Sequence, residues 1–109
     1  MEIRFRGEKL RELCERQVVA KKKLGAACAR KLTLRLQALE AVTCVTELVA
    51  GNPHPLKGDR AGQFALDLTG GWRLVFSPDH ESCPTHPDGG IDWSRVTLIY
   101  IEFIGDYHD

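Results

Sequence analysis

Leu24, Cys28, Leu32, Leu36 and Leu39 recur at steps of four, four, four and three residues. Residues three and four apart are neighbours on a helix surface, so this spacing lines all five along one face of an α-helix. Such a helix draws its stability from tertiary packing, and the rest of the chain must supply an apolar surface to cover the stripe. Arg30, Lys31 and Arg35 lie largely off the stripe and give the helix one basic flank. The covering material is strand-like. Glu2 to Arg6 alternates with Ile3 and Phe5 on one face, and Gln63 to Leu68 alternates with Phe64, Leu66 and Leu68 on one face. Trp72 to Phe76 alternates with Trp72, Leu74 and Phe76 inward, leaving Arg73 and Val75 to the opposite face. Gly70-Gly71 between the last two runs predicts a turn and an antiparallel hairpin. Val96 to Ile104 is apolar in both phases, as expected of a central strand.

Leu10, Leu13, Cys14 and Val18 predict an earlier helix over Glu8 to Val19, joined to the striped helix by the polar Lys21-Lys22-Lys23. Val45 to Val49 reads as one more helical turn, stopped at Gly51. The order β-α-α-β-β-β predicts an α+β fold, with two N-terminal helices on one face of a small, twisted, mainly antiparallel sheet and the other face partly open. A length of 109 residues fits a single domain, 1–109. The opening Met1-Glu2-Ile3-Arg4-Phe5-Arg6 has no targeting pattern and no apolar run approaches the roughly 18 residues of a membrane span, so a cytoplasmic protein without membrane contact is expected. Cys14, Cys28, Cys44 and Cys83 form no CxxC pair and have no histidine at zinc-ligand spacing, which predicts reduced thiols and no metal or other cofactor.

Charge is unevenly shared. Residues 1–60 hold 13 Lys/Arg and 7 Asp/Glu (+6), residues 61–109 hold 2 and 8 (−6), and the sum is zero. A protein that seizes nucleic acid by bulk charge is usually basic overall, so any RNA contact has to come from a local basic cluster.

Three places carry polar residues without an evident packing purpose. In the loop 51–62, His54 stands between Pro53 and Pro55, which pushes it to an extended backbone, and Lys57 and Arg60 follow. Arg73 faces outward on a hairpin strand, and Asp106-Tyr107-His108 ends the last strand. Pairing of the hairpin with that strand would bring all three to one edge of the open face. Cleaving RNA without a metal needs a base for the 2′-hydroxyl, an acid for the leaving 5′-oxygen and cations around the phosphate. Histidine suits the proton roles, lysine and arginine the cationic one, and Tyr107 could stack on a base or donate to phosphate. Each residue also has a plainer reading: Lys57 and Arg60 as loop charges, Asp106 as a strand-end carboxylate, and His80 and His86 as solvated groups in the long loop 77–94.

His54-Pro55-Leu56-Lys57-Gly58-Asp59-Arg60-Ala61-Gly62, Gly71-Trp72-Arg73 and the ending Asp106-Tyr107-His108 resemble, in this order, the motifs of HigB-type toxins, within the RelE/ParE superfamily and the plasmid maintenance killer group. Pro87 to Trp93 looks like a loop insertion found in one branch of that group. The resemblance covers residues 53–108, and the helices match in pattern only. It implies a type II toxin: a ribosome-dependent, metal-independent endoribonuclease that cuts mRNA and inhibits translation. Its implied partners are the ribosome, mRNA and a HigA-like helix-turn-helix antitoxin. Residue by residue, the implied catalytic set is His54, Lys57, Arg73, Asp106, Tyr107 and His108, with Lys57, Arg60 and Arg73 on phosphate. The competing readings are a ParE-like, non-enzymatic gyrase inhibitor and a degenerate toxin that only binds its antitoxin.

Overall fold

A computed structural model of the protein describes residues 1–106; Tyr107 and His108 of the candidate set lie outside the described residues, as does Asp109. The strands are β1 (Glu2–Phe5), β2 (His54–Pro55), β3 (Phe64–Asp67), β4 (Trp72–Pro78) and β5 (Leu98–Asp106), and the helices are α1 (Glu8–Glu15), α2 (Gln17–Leu24) and α3 (Ala26–Ala41). Single 3-10 turns occupy Val45–Glu47, Gly58–Arg60 and Trp93–Arg95. The fold is the expected α+β, with three helices where two were expected.

The extra helix comes from two breaks in the expected helical run. Arg16 takes an extended conformation (φ −120°, ψ 106°) and separates α1 from α2. Gly25, at φ +85°, ends α2 and starts α3, a left-handed backbone that costs glycine little. The joint is therefore Gly25. Lys21, Lys22 and Lys23 instead form the last turn of α2, where cations complement the helix dipole. Gln17 and Thr33, equally far from Gly25, are hydrogen bonded at 2.6 Å, so α2 and α3 form an antiparallel helical hairpin. Leu24 closes α2, and Cys28, Leu32, Leu36 and Leu39 are the buried stripe of α3.

The sheet runs β1-β5-β4-β3-β2, with β1 parallel to β5 and the other pairs antiparallel. Leu66, Leu74, Phe76, Ile99 and Ile101 are fully buried in one cluster with Leu32 and Leu39 of α3. Between β4 and β5 the register shifts: Phe76 pairs with Ile101 and Val75 with Phe103, leaving Glu102 as a bulge. One extra residue resets the alternation. Ile101 and Ile104 both reach the core, while Glu102 and Phe103 are only half-buried, which is part of why β5 reads as apolar in both phases.

Two expectations are corrected near the sheet. Trp72 is exposed, since it stands at the very start of β4 beside the turn. Residues 77–94 are not a featureless surface loop. Thr85 bridges to Ile91, and Asp92 accepts from the Ser94 hydroxyl, from Arg95 Nε and from Ser94 N, bonds that hold its carboxyl below the usual range. Ile91 and Trp93 pack on the core, Trp93 with its ring centroid 4.8 Å from that of Phe64. His80 is not simply solvated: its Nε2 accepts from the backbone amides of Thr97 (3.0 Å) and Leu98 (3.3 Å) and clasps the loop to the start of β5. Removing the partly buried indole in Trp93→Ala is expected to destabilise the protein by about 2 kcal/mol, less than the roughly 3–5 kcal/mol of a fully buried aromatic. His80→Ala is expected to cost about 1 kcal/mol through its two orphaned amides. Urea unfolding checks both, and two losses near zero would mean that the loop is not part of the folded unit.

Candidate active site

The strand register fixes which side chains share a face. His54 lies opposite Ala65, Ala65 opposite Val75, and Val75 opposite Phe103, one row running across four strands. The next row is Asp67, Arg73 and Gly105. Directly opposed residues project to the same side of a sheet, so both rows lie on the face away from α3. Ala65, Val75 and Gly105 form a buried, small-residue floor. Polar and aromatic groups stand around it.

His54 is held at the edge of this floor. Asn52, at φ +50°, turns its carbonyl back to His54 Nδ1 at 2.7 Å. A carbonyl only accepts, so Nδ1 carries the proton and, in the neutral ring, Nε2 keeps its lone pair. The expected stiffness of this loop appears as a two-residue strand, with His54 extended and paired to Ala65. Lys57 is exposed and caps the 3-10 turn that carries Arg60. Arg60 donates to Gln63 Oε1 at 3.2 Å and its guanidinium lies 4.6 Å from the centroid of the Phe103 ring. That ring leans over Gly105, where a Cβ would come within 2.6 Å of it. Arg73 is half-buried; its Nε is 2.8 Å from Asp67 Oδ1, and its Nη1 donates to the carbonyls of Gly70 and Trp72. Asp106, the last residue of β5, pairs with Trp72, one position out of phase with Gly105. Its carboxylate rests against Gly71, where any Cβ would meet Oδ1 at 2.7 Å.

His54, Arg60 and Arg73 thus border one face, with Lys57 exposed on the loop between His54 and Arg60 and Asp106 beside the hairpin turn. Two residues of this face escaped the sequence reading, Asp67 and Phe103. Asp67 was hidden by the turn. A two-residue Gly70-Gly71 turn would set Leu68 against Arg73, but the turn takes in Thr69 as well and sets Asp67 there. Phe103 was hidden by the bulge at Glu102.

The rest of this face and the far side of the sheet are different in character. Towards β1, each arginine is matched by a carboxylate: Arg6 by Glu102 at 2.7 Å and Arg4 by Asp79 at 3.4 Å, with Arg6 also over the Tyr100 ring. On the helical side, a groove of about 380 Å³ opens between β1 and the helices, lined by Ile3, Phe5, Cys14 and Leu36 among others. Burial pushes the Cys14 thiol up to about 12, so at neutral pH it is protonated and no nucleophile.

The Arg6 hydrogen bonds, with one from Ser77, hold the Glu102 carboxyl below its ordinary value of 4.5. A carboxyl with a lowered folded-state pKa contributes stability above its unfolded value and loses that contribution as pH falls through the folded one. Melting temperature should therefore drop below about pH 4.5, and Glu102→Gln should make that acid limb shallower. An identical acid limb in the variant would show that Glu102 does not report on folding.

No family model matches the sequence, and no curated protein matches it by sequence comparison. Solved structures do match over the whole chain. A YoeB/ParE toxin from Agrobacterium tumefaciens superposes with a TM-score of 0.61 at 14% identity, covering 99% of this chain and 100% of that one. The YoeB-YefM complex from Staphylococcus aureus gives 0.59 at 16% identity over 100% and 98%, and a YoeB dimer from the same organism gives 0.57 at 16% identity over the same shares. At this identity the likeness defines the fold: the chain has the architecture of the YoeB/ParE toxins.

Proposed function

We propose that the protein is the toxin of a type II toxin-antitoxin pair, of the HigB kind, and cleaves mRNA on the ribosome by acid/base catalysis. The observation that carries this reading is the row arrangement on the open face: a histidine with Nδ1 committed to a carbonyl, one row from a half-buried arginine, with an arginine-capped aromatic ring at the far end of the histidine's row. That is a base, a phosphate cation and a surface for a nucleobase. His54 Nε2 takes the 2′-hydroxyl proton, Arg73 and Lys57 hold the phosphate, and Arg60 with Phe103 flanks a base. Asp106, Tyr107 and His108 complete the set, with His108 as the acid for the leaving 5′-oxygen. The toxin fold supports the reading, and so does the ordered series of motifs from His54 to His108.

Charge fits this role better than the net value of zero suggests. Arg16, Lys21, Lys22, Lys23, Arg30, Lys31 and Arg35 lie in a stretch, 16–39, without one Asp or Glu. No ion pair among the described residues involves them. The helical hairpin is therefore a local cation able to meet ribosomal RNA phosphates or the acidic part of a HigA-like antitoxin. No helix among the described residues is long and apolar enough to cross a membrane, and a cytoplasmic place of action goes with the ribosomal substrate.

The test is purified protein with ribosomes and a defined mRNA, run beside a gyrase supercoiling assay. His108→Gln and His54→Ala should each lower cleavage on the order of 10²–10⁴-fold, and the double variant should be far less than additive. Arg73→Ala should lower it strongly, while costing no more than about 1 kcal/mol of stability for the loss of a half-exposed ion pair. Uncut mRNA with blocked supercoiling would replace the ribonuclease reading with the gyrase one.

A further inference from the structure

Asp67 has no place in the chemistry above, and its position is unfavourable for it. A carboxylate directly opposite Arg73 competes with any phosphate that the arginine binds. A half-exposed ion pair adds little stability in return. The geometry around Asp67 is nevertheless specific. Its Oδ1 is shielded from solvent and 2.8 Å from Arg73 Nε, an ion-pair contact without the linear geometry of a hydrogen bond. Its amide donates to Gly51 O at 2.6 Å, three residues before His54. Its carbonyl accepts from Arg35 Nε of α3 at 2.9 Å. Arg35 in turn lies against Gly51, where a Cβ would come within 2.5 Å of Nε, so only glycine leaves it room.

We infer that Asp67 is a positioning residue: its carboxylate fixes the Arg73 guanidinium by the Nε edge, while its main chain ties that strand to the loop that carries His54. With Nε on Asp67 and Nη1 on the Gly70 and Trp72 carbonyls, two of the three guanidinium nitrogens are held, and Nη2 is left without a partner among the described residues. Arg73 then meets a phosphate with Nη2, end-on, from a set direction. Pre-set direction is what a cation needs to favour the crowded transition state over the bound ground state. The price in ground-state affinity, a carboxylate near the phosphate, falls on KM and not on kcat.

This inference rests on the ribonuclease reading for its kinetic part only. Asp67→Asn keeps the size of the side chain and every main-chain contact. In 15N-labelled protein, the Arg73 Nε–Hε resonance, set in the wild type by the adjacent carboxylate, should shift in Asp67→Asn at an otherwise unchanged amide spectrum. With ribosome-bound mRNA, kcat should fall by about tenfold to a hundredfold, the scale of a misplaced group. KM should fall as well, because the competing negative charge is gone, a split that a smaller folded fraction does not give. In the Arg73→Ala background the same change should lower kcat no further. A kcat loss that persists in that background, or an Arg73 resonance indifferent to Asp67, would overturn the assignment. A wild-type protein that cuts no mRNA would refute the ribonuclease reading instead, and the resonance alone would then decide the positioning of Arg73.

Discussion

The structure depends on burial from one side. The α3 stripe covers a single face of the sheet, where Leu66, Leu74, Phe76, Ile99 and Ile101 are all but removed from solvent. At roughly 25 cal/mol per Å² of apolar surface, such contacts are the main source of stability in a domain of this size. The consequence is chemical. Among the described residues the opposite face of β2, β3, β4 and β5 carries no α-helix, and its floor of Ala65, Val75 and Gly105 is shielded by side chains that stand around it. Those side chains are His54, Arg60, Phe103, Asp67 and Arg73. A rigid sheet fixes their spacing: neighbouring strands lie about 4.8 Å apart, so His54 and the β4 strand that bears Arg73 are separated by about 10 Å. In the proposed reaction a ribose and its phosphate would span a gap of that order, and strands hold such groups more precisely than loops do.

Electrostatics divides the molecule in the same way. Around Arg4 and Arg6 every cation has its carboxylate, and that end of the sheet is neutral. The α2–α3 hairpin carries no acidic residue before Glu40 and is strongly cationic. Zero net charge thus describes two segregated surfaces, which is why the whole-chain balance argued against a nucleic-acid role while the local pattern supports one.

How much of this was legible depended on whether the signal was local. The α3 stripe, the β3–β4 hairpin and the central β5 are carried by periodicities of 3.6 and 2, and they stand where the sequence puts them. His54 was legible because two flanking prolines leave its backbone little choice, and Arg73 because alternation with Leu74 sends it outward. What escaped depends on single residues with no periodic trace. The break at Arg16 split one expected helix in two, the bulge at Glu102 moved Phe103 to the open face, and Thr69 lengthened the turn and set Asp67 opposite Arg73. Trp93 and His80 escaped because a loop without periodicity gives no hint that it folds back on the core. A shift of one residue in a strand exchanges its faces, so these small local events decide which polar groups meet.

The central claim is that the open face promotes attack by a 2′-hydroxyl on the adjacent phosphate. Its most direct measurement is a single-turnover reaction on the ribosome with two mRNAs that differ only by a 2′-deoxy nucleotide at the cleaved position, with the new ends identified by mass. The expected result is cleavage of the all-ribose mRNA alone, leaving a 2′,3′-cyclic phosphate or its 3′-phosphate product and a 5′-hydroxyl. Equal cleavage of the 2′-deoxy mRNA, or a 5′-phosphate end, would contradict it.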